Sequence, residues 1–318
     1  MTLRVKMVPE LKQVEKGESG IITIIRKYAK HFPAYDMELV GKDVSEFDLY
    51  AVHAGMQDAR YPANIPTVAH CHGVYWTSMY QASQWEWSAN ADVINSLRHA
   101  HVITVPSTWV AETIQRDMHR NPVVLPHGVD WNEWQHQEAK QGYIIGYAKN
   151  RAGQDVCNPA YLNPLASSFP NIKFLSTFSP ENPPPNIEIT GVLPYEQNKK
   201  VVQRADMFVS CTRETFGIAI LEAMAAGLPI LGWREGGLVD LVLHGVNGYL
   251  AQPYDYSDLV QGMAYCIQHR VALGANGREM ARKWTWEKVC AQVADIYRSA
   301  IQKARIPSMT VDPILYRL

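Results

Sequence analysis

Glu214 and Glu222 are separated by seven residues, and the segments around them decide what two such carboxylates can do. The apolar run 207–210 (MFVS), after the acidic Asp206, reads as a buried strand. A loop carrying Thr212, Arg213 and Glu214 follows, and residues 217–226 (GIAILEAMAA) are dense in strong helix formers. Gly227 and Pro229 supply a stop, residues 229–233 read as the next strand, and Gly236-Gly237 turns into another short helix. The unit is βαβ, and its loop 211–216 lies at the carboxyl end of a strand, where open parallel sheets bind ligands. Five residues from Gly217 to Glu222 correspond to a rise of roughly 7.5 Å, so both carboxylates can face one extended ligand. Between them the N–H groups of Phe216, Gly217 and Ile218 are expected donors of a helix start, which favours a phosphate. A molecule with hydroxyls at both ends and a diphosphate in the middle fits. The spacing alone also fits a helix-start Glu favoured by the macrodipole plus one solvated helical Glu.

Three further clusters bear on the same chemistry. Lys149 and Arg151 follow the strand read at 143–148 and precede an expected helix; two cations there suit a diphosphate, although Lys-x-Arg is also an ordinary solvated loop. Near the start, a strand at 3–8, a Gly17–Gly20 turn and a helix with Ile21, Ile22, Ile24, Ile25 and Tyr28 on its buried side form an anion-binding arrangement. Any tight βα turn uses glycine, so the turn does not decide by itself. The strands read at 48–53 and 67–72 end in His53 and in His70-Cys71-His72-Gly73. Alternate residues of one strand with no carboxylate partner make a poor metal set, which leaves a structural or a ligand-facing histidine.

The elements that must position these residues follow from the whole chain. With 318 residues it is long enough for two domains, and 47% hydrophobic with 19% charged residues describes a globular protein. A net charge of -1 argues against a strongly electrostatic partner such as nucleic acid or an acidic membrane surface. Cys71, Cys157, Cys211, Cys266 and Cys290 are odd in number and lack paired spacing, which implies reduced thiols in a cytoplasmic setting and no zinc site. The start MTLRVKMVPE lacks the apolar core of a signal peptide, and no run reaches transmembrane length, so stable membrane insertion is not expected. Trp76, Trp85 and Trp87 cluster as core packing or as a sugar-stacking surface. Strands alternate with helices throughout up to Pro253, and only helical pattern follows. Ser107 is a good N-cap for a helix at 108–118, and the polar stretch 131–141 is a linker or a short helix. The expected fold is α/β, two Rossmann-like domains facing a central cleft: 1–135 on the acceptor side, 136–299 for the nucleotide, and a tail at about 300–318 packing back on the first.

The wording E-T-F-G-I-A-I-L-E-A-M-A-A-G-L-P-I, then G-G-L-V-D-L-V and H-G-V-N-G-Y-L, resembles the donor-binding segment of family 4 retaining glycosyltransferases with the GT-B fold. The resemblance implies transfer of a sugar from a UDP- or GDP-sugar to an acceptor hydroxyl, with retention and without a cofactor or metal. It places the nucleotide ribose on Glu222, the donor sugar hydroxyls on Glu214, and the leaving diphosphate on Lys149, Arg151 and the amides at Phe216, Gly217 and Ile218. A His-Gly at the strand end contacts the donor sugar in that family, which points to His72; His53 matches less well. Leu193 falls where the family's backbone reads the base, and Gly20 in its phosphate-side glycine loop, here Gly-Glu-Ser-Gly. The family carries Asn where His127 stands. The acceptor classes compatible with the chain are a saccharide, a small molecule, a lipid or a modified nucleobase, and oligomeric state is not legible. A GT-B nucleotide-sugar epimerase and a non-catalytic nucleotide-sugar-binding protein share the same donor site. A nicotinamide dehydrogenase does not, because neither glycine loop has the G-x-G-x-x-G spacing.

Overall fold

A computed structural model describes residues 2–9, 20–41, 43–54, 65–73, 83–136, 138–147, 160–178 and 182–305. Strand β1 (Leu3–Val8) leads to helix α1 (Gly20–His31), followed by β2 (Met37–Val40), β3 (Leu49–His53) and β4 (Thr67–His70). Helix α2 (Gln84–His99), β5 (Val102–Val105), α3 (Thr108–Met118) and β6 (Val123–Val124) complete the first half. Its sheet runs β2-β1-β3-β4-β5-β6 with every pairing parallel. Parallel sheets are covered on both faces, and β3, β4 and β5 are accordingly buried along their whole lengths.

After the short helix α4 (Trp131–Trp134) the pattern repeats. The second half contains β7 (Tyr143–Tyr147), α5 (Leu162–Ser168), β8 (Lys173–Ser176), β9 (Ile187–Ile189), α6 (Tyr195–Arg204) and β10 (Met207–Ser210). Then come α7 (Ile218–Ala225), β11 (Ile230–Trp233), α8 (Leu238–Leu241) and β12 (Gly248–Ala251). The sheet order is β12-β11-β10-β7-β8-β9, again parallel. The chain moves outward from β7 in one direction and from β10 in the other, so a crevice opens at the carboxyl ends of these two neighbours. The loop 211–216, read from the sequence as lying at a strand's carboxyl end, follows β10 at this switch point.

The closing helices α9 (Tyr256–Gln268) and α10 (Arg270–Ala281) cover the second sheet, and α11 (Trp286–Arg305) does not. Trp286, Val289, Cys290, Val293, Ala294, Tyr297 and Ala300 recur at three- and four-residue steps and pack with Val5, Ile24, Tyr28 and Leu49 of the first half. This return crosses between the two cores at Trp286. Of the two readings left open for the tryptophan cluster, Trp85 and Trp87 on α2 take the surface one, 62% and 54% exposed. Cys71, Cys211, Cys266 and Cys290 are free and buried. Among the described residues no helix is long and apolar enough to cross a membrane.

Candidate functional site

The loop between β10 and α7 is built to hold Glu214. Its carboxylate Oε1 accepts a hydrogen bond from the Thr212 hydroxyl at 3.1 Å, and Thr212 Oγ1 lies 3.0 Å from Ser210 Oγ at the strand end. The Glu214 carbonyl accepts from the N–H of Gly237 at 2.7 Å, which ties the loop to the turn before α8. Only glycine fits there, since a Cβ on Gly237 would lie 2.5 Å from the Thr215 carbonyl oxygen and 2.6 Å from Phe216 Cα. Glu214 is 8% exposed, so its carboxylate is fixed and largely dry before any ligand arrives.

Helix α7 begins one residue later than the sequence suggested. Gly217 is its N-cap, and the first intrahelical bond runs from the Ile220 N–H to the Gly217 carbonyl at 3.0 Å. The amides of Ile218 and Ala219 therefore precede the hydrogen-bonded ladder, while Phe216 and Gly217 belong to the loop rather than to the helix. Phe216 is buried, and its ring serves as a contact, described below.

Glu222, in the middle of α7, lines a cleft of about 90 Å³ at the switch point together with Ala219, Tyr147, Thr177, Thr190 and Asn198. The lining combines apolar side chains such as Leu175 and Val202 with small polar side chains and one carboxyl. Burial pushes the Glu222 carboxyl up to about 8, the Asp130 carboxylate pushes the same way, and Lys27 and Lys199 oppose it. Asp130 and Lys27 form an ion pair that is mostly withdrawn from solvent. They come from the α4 N-cap and from α1, so first-half charges reach the nucleotide side of the cleft. Leu193 is not among the residues lining the cleft; Thr190, three positions earlier, is.

Opposite this loop, the first sheet presents four histidines. His53 ends β3 and is paired in register with His70 on β4; His72 follows just past the strand, and His127 follows β6. Their rings stack in series: His70 on His53 with centroids 4.3 Å apart, His53 beside His72 at 5.1 Å, and His72 beside His127 at 5.3 Å. The His127 ring meets the Phe216 ring edge-on at 5.1 Å, so the series ends on the donor-side loop. His70 is pinned through Nδ1 to the Thr104 hydroxyl at 2.7 Å and through Nε2 to the Tyr297 hydroxyl at 2.8 Å. His53 Nδ1 lies 2.9 Å from His72 Nε2. Burial drives all four toward the neutral form: His70 falls to about 3, His72 to about 4, and His53 and His127 fall well below the ordinary value. Among the described residues no group of three or more His, Cys, Asp or Glu could hold a metal ion.

The two halves touch at this point. Gly73, with φ +112, abuts the loop so closely that a Cβ would lie 2.5 Å from Thr215 Cγ2. Ser107 Oγ donates to the Thr215 carbonyl at 2.6 Å, and the Thr108 N–H donates to the Asp240 carboxylate at 2.6 Å. Thus His72, Glu214, Phe216, Gly217 and Ile218 are brought together, with Glu222 further along α7. Gly20 opens α1 and is exposed, and a Cβ there would meet no side chain or distant backbone among the described residues. Lys149 and Arg151 lie outside the described residues, as do positions 17–19 of the first glycine loop. Sequence reasoning gave no role to the Lys27–Asp130 pair or to the linkage of His53 and His127 with His72. The signal for the histidines was present, because adjacent parallel strands ending in His53 and His70 put imidazoles side by side.

A family model described as "Glycosyltransferase Family 4" matches residues 17–133, and one described as "Glycosyl transferases group 1" matches residues 180–284. An uncharacterised glycosyltransferase of Methanocaldococcus jannaschii is 26% identical over 205 residues, which is 60% of this chain and 57% of that protein's length. The sucrose-phosphate synthase structure from Thermosynechococcus elongatus superposes with a TM-score of 0.75 at 13% identity, covering 95% of this chain and 100% of that one. The Anabaena HepE structure in complex with UDP-glucose superposes with a TM-score of 0.70 at 16% identity, covering 93% and 100%. The two six-stranded parallel sheets with their helices match these GT-B glycosyltransferase structures.

Proposed function

We propose that the chain, a glycosyltransferase with the GT-B fold whose residues 17–133 match the family 4 model, moves a hexose or related sugar from a nucleoside-diphosphate sugar to an acceptor hydroxyl, retaining the anomeric configuration. One observation carries the reading. A switch-point cleft with a carboxyl, Glu222, in its wall shares its helix with two amides ahead of the first intrahelical bond and with a fixed, dry carboxylate, Glu214, before them. Ribose hydroxyls on Glu222, a diphosphate at Ile218 and Ala219, and a sugar on Glu214 follow the order of groups in a nucleotide-sugar. The Anabaena neighbour's UDP-glucose supports the same ligand class.

In the reaction, the bond from the anomeric carbon to the diphosphate oxygen breaks and the acceptor oxygen forms the new bond on the same face. The acceptor's proton passes to the departing phosphate oxygen. Protein groups then act by positioning and by stabilising charge. His72 reaches the sugar from the first sheet, Lys149 and Arg151 offset the diphosphate charge, and the acceptor enters along the first half. A screen of UDP- and GDP-sugars for thermal stabilisation and hydrolysis tests this. One donor should raise Tm by mass action and release its nucleotide. Absence of both effects across the screen overturns the proposal, and an epimerised nucleotide-sugar formed without acceptor replaces it with an epimerase. Binding with no turnover on any acceptor leaves a binding protein.

A further inference from the structure

We infer that Ser107 is a positioning residue for Glu214: reaching across from the first half, the opening turn of α3 grips the donor-side loop and sets where its carboxylate stands relative to the first sheet. The role rests on the reading that Glu214 holds the donor sugar. Three consecutive residues make the grip. Ser107, 0% exposed, donates from Oγ to the Thr215 carbonyl at 2.6 Å, one residue past Glu214. Thr108 gives its N–H and its hydroxyl to the two carboxylate oxygens of Asp240, at 2.6 and 2.5 Å. The Trp109 ring centroid lies 5.9 Å from the guanidinium of Arg213, one residue before Glu214. Glu235 holds Arg213 from its own half, at 3.1 Å.

The bonds from Thr212 and Gly237 fix Glu214 only against its own sheet. Transfer needs the donor on that sheet and the acceptor on the other in register, and a misplacement of about 1 Å can cost on the order of a hundredfold. The α3 turn supplies the reference to the first half. Arg213 and Thr215 flank Glu214 in the chain and both are held from α3, so the carboxylate cannot move away from the first sheet without breaking a hold. Gly73 sets the opposite limit, since the Thr215 side chain seats where its Cβ would stand. The three holds differ in kind: a buried neutral hydrogen bond, a carboxylate on a helix start, and a cation over a ring. They therefore cannot exchange partners by sliding, and one alignment of loop and helix is selected. Glu222, further along α7, takes no part in these contacts.

The test uses the full chain and the nucleotide-sugar selected by the screen. Ser107→Gly removes the hydroxyl at little cost to the helix start, since glycine also caps helices. Its kcat should fall about tenfold, the range for loss of one hydrogen bond. Thr108 is exposed, so Thr108→Val leaves the core untouched; it should lose about threefold, and Thr108→Ser, which keeps the hydroxyl, should recover that loss. Asp240→Ala combined with Thr108→Val should cost no more than Asp240→Ala alone, because the valine removes a bond already gone. UDP or GDP affinity should stay within about twofold in every variant, a split that a merely structural loss would not produce. Undiminished kcat in Ser107→Gly, where Glu214→Gln is impaired, overturns the inference, and so does a matching loss of nucleotide affinity. If Glu214→Gln itself turns over normally, the reading of Glu214 as the sugar's carboxylate fails instead. Hydrogen exchange at the Gly237 amide, which donates to the Glu214 carbonyl at 2.7 Å, then decides for Ser107. Faster exchange in Ser107→Gly keeps Ser107 as the residue that positions the loop, and unchanged exchange overturns it.

Discussion

The two sheets meet the cleft with opposite chemistry. The first brings four imidazoles side by side, and burial pushes each toward the neutral form. The second brings two carboxyl groups and a helix start, and there burial raises Glu222 to about 8. Burial acts on both sides in the same sense, against charge, but histidines become neutral by losing a proton and the glutamate by keeping one. The first side is thus a stiff wall of neutral hydrogen-bonding groups. The second is an electrostatic seat whose charge develops on binding. The proposed sugar, a neutral group with many hydroxyls, touches both sides, and the anionic diphosphate lies on the second alone.

Acid gives the largest effect by which this contrast can be broken. Imidazoles whose folded pKa lies below the unfolded value of 6.5 contribute stability that is whole above that value and is lost as pH falls through the folded pKa. With folded values of about 4 for His72 and about 3 for His70, complete protonation costs on the order of 3 and 5 kcal/mol respectively. That is comparable with the whole stability of an ordinary domain, about 5–15 kcal/mol. Urea midpoints followed from pH 7 to pH 4 should fall steeply, with net proton uptake on unfolding. In His127→Asn, which removes one imidazole from the series, the slope should be shallower. A midpoint flat to pH 4 would mean that the imidazoles are charged in the fold.

Next in size is Glu214→Gln. The carboxylate is dry and fixed by Thr212 before ligand binds, so its full strength is available at the transition state. Turnover should fall about a hundredfold, in the range for removal of one preorganised group. UDP or GDP affinity, measured by calorimetry, should stay within about twofold, because Glu214 is assigned to the sugar. Equal losses in both would erase the division between sugar end and nucleotide end.

Glu222→Gln tests the other end, and its effect should depend on pH. The free protein holds Glu222 protonated below about 8, and that contribution to stability is present at pH below 4.5 and lost as pH rises through about 8. Ribose hydroxyls donate best to the carboxylate, so nucleotide binding at pH 7 should release close to one proton per site. Calorimetry in two buffers of different ionisation enthalpy reads this directly. Above pH 8 the substitution should weaken nucleotide binding ten- to a hundredfold, the worth of a hydrogen bond to a charged group, about 1.5–3 kcal/mol. Below pH 7 the gap should narrow, since the wild type then also starts neutral. A pH-independent gap without proton release would remove Glu222 from the ribose.

The contrast also explains what the sequence reveals. Strand Met207–Ser210 is legible as an apolar run before a turn, and Leu3–Val8 and Ile187–Ile189 from apolar residues alternating with charged ones. Helix Thr108–Met118 is legible from its Ser107 cap. The edge strand Met37–Val40 is missed because only Met37 of its four residues is buried, so the run has no hydrophobic period. Helix Gln84–His99 is missed because Trp85, Trp87 and Ile94 are exposed, although Ser83 and Glu86 spell a capping box. In the site, Glu214 and Glu222 stand out because one helix and its loop carry both. The imidazole series draws on three segments and the Lys27–Asp130 pair on two, so neither is contained in one contiguous run.

The smallest expected effect is none. The chain has no Asp-x-Asp pair to clamp a metal–diphosphate complex, and the proposed seat for that charge consists of Lys149, Arg151 and the Ile218 and Ala219 amides. These groups can do what a divalent ion does elsewhere, which is to lower the energy of the departing phosphate oxygens. Of the two sides, the imidazole wall has both His70 nitrogens hydrogen-bonded to Thr104 and Tyr297, and His53 and His72 bonded to each other through one nitrogen apiece. Turnover of the preferred nucleotide-sugar in excess chelator should therefore equal turnover in added magnesium or manganese within error. Lys149→Ala and Arg151→Ala should each lower kcat more than KM rises, because the charge they offset is greatest as the bond breaks. Activity lost to chelator and restored by either metal would move the diphosphate charge from the protein to an ion, and would end the assignment of these two cations.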